Sequence, residues 1–336
     1  MKLFNISVFS HLTVLSLPFV FLFSSCIDEN LNIDPNRPSS VQTTSLIVTA
    51  QKQLVDNVKS ESASLRSSAL FTQQISQVTY TSQSRYDIPF SYSANIWNGL
   101  YKALNNLQEI IILNSDPNTK DLVTADGAGR NSTQIAISRI LKSYAFYALT
   151  DIFGNVPYHS YGSDDSEFEA LQQETDNLAP GYASQEKIYE DILNELKQAG
   201  DTLLKYQTET TFGSSDIIYA GRNSSWAKFA NSLRLRFATR LKVKNPDLYN
   251  THFSDALAKG VFTSNSDNAI FKYSTSSPNE APYYRATVTA NRRDFSISKP
   301  FIDLLKGDNA QLPFADPRLD KYASVNSNGE YVGLPY

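Results

Sequence analysis

The sequence predicts a mainly α-helical fold of antiparallel helix pairs, an α-solenoid or a bundle, with one loop-rich face. Two observations predict it. Between residues 45 and 241, successive segments carry apolar residues at helical spacing, each bounded by polar or Pro/Gly punctuation. From about Asp267 the chain changes character, and prolines and polar aromatics alternate with short apolar pieces, the material from which binding surfaces are built.

The first segment stands apart. Residues 1–25 have the parts of a secretory signal: Lys2, an apolar run from Val14 to Phe23, then Ser24 and Ser25. The run is about half the roughly 20 residues that a spanning helix needs. Cys26, the single cysteine of 336 residues, follows at once. Phe23-Ser24-Ser25-Cys26 resembles a relaxed bacterial lipobox, with Phe where Leu is commoner, so Cys26 is expected to carry lipid and to become the mature N-terminus. Residues 26–40, rich in Pro, Asn, Asp and Ser, then form a tether.

Residues 41–336 are expected to hold the helical domain. Leu46, Ile47, Ala50, Leu54 and Val58 predict a helix over 45–59, and 70–79 reads as another. Residues 80–94 lack a usable period and read as a loop. Ile96, Leu100, Ala103, Leu107 and Ile111 predict a helix over 95–113, ended by Asp116-Pro117-Asn118; Ile137, Ile140, Leu141 and Tyr144 predict one over 134–153, stopped by Gly154 and Pro157. Ser184 caps a helix carrying Ile188, Ile192, Leu196, Ala199 and Leu203. Trp226, Phe229, Leu233, Phe237 and Leu241 mark the next, with Asn223, Ser224 or Ser225 as its cap, and 268–273 suggests a short strand.

Composition narrows the function. Net charge is −4 with both signs interspersed, which argues against a nucleic-acid partner. Tyr and Phe number 19 each, and most are expected in the core. His159 and His252 stand alone, without the spacing of a zinc site, and neither a nucleophile elbow nor a phosphate-binding Gly-rich loop occurs. Asp164, Asp165, Glu167 and Glu169 could hold calcium but lack the EF-hand pattern, so they read as a solvated acidic loop and no cofactor is expected. Asp87 with Asp294 could be paired for glycoside hydrolysis, although nothing selects them among 34 carboxylates. Lys228, Arg234, Arg236, Arg240, Lys242 and Lys244 read as a solvated basic face, or as the seat of a protein partner.

Two aromatic loops carry the binding chemistry. Tyr80, Arg85, Tyr86, Asp87, Phe90, Tyr92 and Asn95 make the first; Asn279, Tyr283, Tyr284, Arg285, Asn291, Arg292 and Arg293 make the second. Flat rings beside amide, carboxylate and guanidinium groups suit sugar rings, and they serve peptides equally. From these loops Arg85, Tyr86, Asp87, Tyr92, Asn95, Asn279, Tyr283, Tyr284 and Arg285 are the candidate ligand contacts.

Several stretches, in order, resemble the SusD/RagB family of nutrient-binding outer-membrane lipoproteins, and the opening most resembles its SusD-like branch. They are L-N-I-D-P-N-R-P-S (31–39), W-N-G-L-Y-K-A-L-N-N (97–106), Y-A-F-Y-A-L-T-D-I-F-G-N-V-P-Y (144–158), Q-E-K-I-Y-E-D-I-L-N-E-L (185–196), W-A-K-F-A-N-S-L-R-L-R (226–236), R-R-D-F-S-I-S (292–298) and D-P-R-L (316–319). The resemblance implies tetratricopeptide-like helix pairs against a loop-rich ligand face. It implies an oligosaccharide or peptide ligand, a membrane attachment through the lipid on Cys26, and no catalysis. A SusC-like TonB-dependent transporter barrel is the implied partner. Asp28 and Glu29 resemble signals that send such lipoproteins to the outer face. Family members usually run longer, so a C-terminal part with a late helix pair is expected to be missing. A glycosidase or peptidase, and a helical scaffold without ligand, are the alternatives.

Overall fold

The computed structural model describes residues 41–124, 127–172, 178–310 and 312–335. The signal segment, Cys26 and the tether lie outside the described residues. Helix α1 (Thr43–Val58) buries Ile47, Ala50 and Leu54, the face its spacing predicts. Helix α2 (Phe90–Ser115) buries Ile96, Leu100, Ala103, Leu104, Leu107 and Ile110. The two pack closely at Gly99, where a Cβ would fall 1.8 Å from Asn57 Oδ1. Helices α3 (Asn131–Phe153), α4 (Gln185–Lys205), α5 (Asn223–Arg240) and α6 (Pro246–Lys259) follow.

Each helix packs chiefly on its neighbour in sequence, and lighter contacts link α1 to α3, α3 to α5 and α4 to α6. That pattern is a layered array of helix pairs, as in tetratricopeptide-like solenoids. One continuous apolar core runs from Ile47 to Ala238 within the compact unit Gln42–Tyr336. Aromatics fill much of it: Tyr147 stacks on Phe237 at 3.8 Å between ring centres, and Phe146 meets Tyr158 at 4.5 Å.

Helix α3 is buried nearly all round, so its polar residues need internal partners. Arg139 makes a two-pronged pair with Glu195 of α4, at 2.8 Å for each bond. The turn after α3 explains the D-I-F-G-N-V-P-Y stretch. Gly154 takes a φ of +78°, Thr150 Oγ1 donates to its carbonyl, and Asn155 Oδ1 accepts the Gln185 N–H at the start of α4. Ser184 caps α4 as expected, accepting the Lys187 N–H at 3.3 Å.

Five local expectations are corrected. Residues 70–79 are not a helix: after one turn at Ala69–Phe71 the chain enters strand β1 (Ile75–Gln77), which pairs antiparallel with β2 (Phe295–Ile297). Its conformation is set by a partner far along the chain, a signal that local periodicity does not carry. Residues 90–94 belong to α2, whose first turn is solvated, with Phe90 85% exposed, so no apolar stripe marked it. The stretch 268–273 makes no strand pairing, and its Ile270 is half exposed. Asn223 lies within α5 and is buried, its side chain accepting from Thr211 and donating to the Tyr206 carbonyl, so it ties loops rather than capping. The basic face is not uniformly solvated. Arg234 is fully buried, donating to His252 Nδ1 at 3.2 Å and to Asp255 at 2.7 Å, while Lys228 pairs with Asp267 and Arg240 with Asp151.

Candidate functional site

The short β1–β2 ladder brings the two aromatic loops together. Ile75 lies opposite Ile297 and Gln77 opposite Phe295, and the ladder continues through Val78 N–H donating to the Asp294 carbonyl at 2.7 Å. The chain leaving β1 therefore runs beside the chain entering β2. Arg292 lies over the Tyr80 ring at 5.4 Å, and the Thr79 hydroxyl donates to Asp294 at 2.9 Å.

The segment after α1 closes the third side. Residues 64–68 form a turn of π-helix, a geometry found often at functional sites. It sets Glu61 and Arg66 at the spacing that lets them bond, and Arg66 lies over the Phe295 ring at 5.2 Å. The result is a cleft with two adjoining hollows. One, of 550 Å³, is lined by Glu61, Arg66, Tyr80, Ser82, Tyr92 and Arg292. The other, of 360 Å³, is lined by Asp56, Glu61, Pro282, Arg285, Arg292 and Asp294.

The cleft's charges are matched. Arg292 pairs with Asp294, Arg66 with Glu61 and, at 3.5 Å, with Asp294, and Arg285 sits 3.7 Å from Glu280. Lys52 and the Tyr273 hydroxyl both donate to Asp56. Burial pushes the Asp294 carboxyl up, but the Thr79 hydroxyl, the Arg292 guanidinium and Arg66 outweigh it and hold it below the usual carboxylate range. Tyr80 is 68% exposed, so its ring is available for stacking.

The predicted contacts divide. Tyr92 and Arg285 line the cleft. Tyr86, in a left-handed conformation and 73% exposed, stacks on Phe71 at 5.5 Å beside a separate small hollow that also contains Ser298. Arg85 donates to Thr81, and the Asp87 N–H closes a turn on the Ser82 carbonyl. Asn95 is exposed on α2, Asn279 closes a turn on Ser276, and Tyr283 and Tyr284 project from one helical turn next to the cleft-lining Pro282. Asp56, Glu61 and Arg66 were missed as site residues, and Asp294 was weighed only as half of a hydrolytic pair with Asp87. Glu61 and Arg66 are five residues apart, a spacing that pairs on a π-helical turn and has no place in an α-helical pattern.

The other expected centres have structural partners. Asp165 and Glu167 both hold the Lys187 ammonium, at 3.1 and 2.7 Å, and no metal-ligating cluster occurs among the described residues. A further hollow of 260 Å³, at the ends of α3 to α6, is lined by Asp151, Tyr189 and Arg240, whose polar groups bond one another. Among the described residues no helix is long and apolar enough to cross a membrane.

A sequence profile described as "Starch-binding associating with outer membrane", SusD-like_2, matches residues 35–336. The chain belongs to this SusD-like family. Solved SusD-like structures share its fold. A chitin-binding SusD homologue from Flavobacterium johnsoniae is 24% identical with a TM-score of 0.64, covering 86% of this chain and 57% of its own. A SusD homologue from Bacteroides uniformis is 22% identical with a TM-score of 0.62, over 86% and 57%. One from Bacteroides vulgatus is 20% identical with a TM-score of 0.65, over 87% and 56%. This SusD-like chain thus spans little more than half the length of those relatives. No curated protein matches it.

Proposed function

We propose that this SusD-like protein binds oligosaccharides at the outer membrane and hands them to a TonB-dependent transporter, without cleaving them. The observation that carries the reading is the cleft between the aromatic loops. It joins the exposed ring of Tyr80 and the half-buried Tyr92 to a set of donors and acceptors already held in place by mutual ion pairs. Sugar rings offer C–H faces to the tyrosines and hydroxyls to the charged rim, and a pre-organised rim loses little freedom on binding. The starch-binding description of the family and the chitin-binding relative point the same way.

Hydrolysis fits poorly. A glycosidase needs a carboxyl kept protonated as general acid beside a second, ionised one. Asp294 is held in the opposite direction by two arginines, and Asp87 is an exposed turn residue. Attachment through lipid on Cys26 completes the proposal.

Affinity electrophoresis in gels containing polysaccharide tests the binding, with product analysis alongside. Retardation without product is expected, and Tyr80→Ala should weaken it. Release of sugar that depends on one carboxylate would overturn the reading. Cys26→Ala should leave the domain folded but shed it from washed membranes.

A further inference from the structure

The charge arrangement of the cleft carries an inference about which glycans enter it, and it rests on the glycan-binding reading above. Arg66, Arg285 and Arg292 would ordinarily make such a cleft a receptor for carboxylated or sulfated sugars, since a guanidinium binds such groups in bidentate fashion. Two of the three are held by carboxylates, and the third, Arg285, is held by backbone carbonyls with a carboxylate nearby. Arg292 is bonded to Asp294; Arg66 is bonded to Glu61 and lies 3.5 Å from Asp294; Arg285 faces Glu280 and donates to the Pro278 carbonyl at 3.1 Å. Asp56, itself paired with Lys52, adds a further carboxylate to the same wall. We infer that the cleft selects uncharged glycans, and that Glu61 and Asp294 set this selection by occupying the arginines from within.

The reason is competition at short range. An incoming uronate or sulfate must displace a carboxylate that is covalently tethered and already aligned. The displaced carboxylate then stands beside the new anion, with Asp56 close by. Like charges in a partly dry cleft repel, and such repulsion works as selection against the wrong ligand. A hydroxyl has no such conflict. It accepts from guanidinium N–H groups that the ion pairs leave over, because Arg has five, and donates to the spare lone pairs of Glu61, Asp56 or Asp294. The ion pairs also keep Arg292 over Tyr80 and Arg66 over Phe295, so the rim and the stacking faces are positioned by the same contacts.

The test compares the natural protein with Glu61→Gln and Asp294→Asn on neutral probes (starch, chitin oligosaccharides, xylan) and acidic ones (polygalacturonate, alginate, chondroitin sulfate), at low and high salt. The natural protein should bind a neutral probe and ignore the acidic ones. Each variant removes the nearest carboxylate from one guanidinium, Glu61→Gln from Arg66 and Asp294→Asn from Arg292, and should gain about tenfold or more in affinity for an acidic probe, a gain erased by salt. Glu61 is the more exposed position, 38% against 12% for Asp294, so Glu61→Gln keeps the test alive if Asp294→Asn fails to fold. Acidic probes binding the natural protein as well as neutral ones would overturn the selection while leaving the glycan reading intact. Folded variants with no gain would overturn it too. No binding to any polysaccharide would remove the underlying reading itself.

Discussion

At the scale of single residues, Asp216 shows how much of this fold rests on buried polar groups. Its carboxylate is buried and accepts from Gln51 Nε2, Trp226 Nε1 and the N–H groups of Ile218 and Gly221. It thereby ties α1, the loop before α5 and the first turn of α5. Asp216→Ala would strand several donors in the core, so a loss of about 3–5 kcal/mol is expected in urea unfolding, against little for an exposed carboxylate such as Asp87. His252 makes a different prediction. Its Nδ1 accepts from the buried Arg234, and burial first, then that guanidinium, push its pKa down to about 4 from 6.5. The unfolded chain takes up the proton before the folded one, so this contribution to stability is full above pH 6.5 and lost as pH falls through about 4. Urea midpoints should drop across that window, and His252→Gln should flatten the slope.

At the scale of elements, the helices that bury one apolar face were legible in the sequence, and those whose logic is polar were not. Helices α1 and α4 appeared within a few residues, and α2 from its second turn onward, because Ile47, Ile192 and Leu100 sit on clear stripes. Helix α6 was not predicted: it buries only His252 and Ala256, and its signal was the Asn245-Pro246 start, where Asn245 accepts the Leu248 N–H. Strand β1 was unreadable because its identity depends on β2. The candidate site was half legible for the same reason. Both loops could be named from their aromatics, but that they meet, and that Glu61 and Arg66 close the cleft between them, depends on long-range pairing and on a π-helical turn. Between elements, the Arg139–Glu195 pair pins α3 to α4. Arg139→Met should cost about 3–5 kcal/mol by leaving Glu195 buried without its partner, and adding Glu195→Leu should recover most of it. Denaturant unfolding of the single and double variants would show this as a strong non-additivity.

At the scale of the whole molecule, the helix array acts as a scaffold and the chain beyond it brings the aromatic loop that α1 and β1 complete. The division is physical. The array supplies a continuous apolar core, while the cleft is built from charged and aromatic side chains held by ion pairs near the surface. A cleft of that kind can bind without reacting: its rim carboxylate Asp294 is kept ionised by the Thr79 hydroxyl and two arginines, and the Tyr80 ring is exposed for stacking. The most direct test of this account is isothermal titration of the folded protein with starch, chitin and xylan oligosaccharides, repeated with Tyr80→Ala and with product analysis of each mixture. The account predicts saturable binding of at least one of them, weakened on the order of tenfold by Tyr80→Ala, with the sugar recovered uncleaved. Binding unchanged by Tyr80→Ala, or sugar recovered as shorter products, would contradict it.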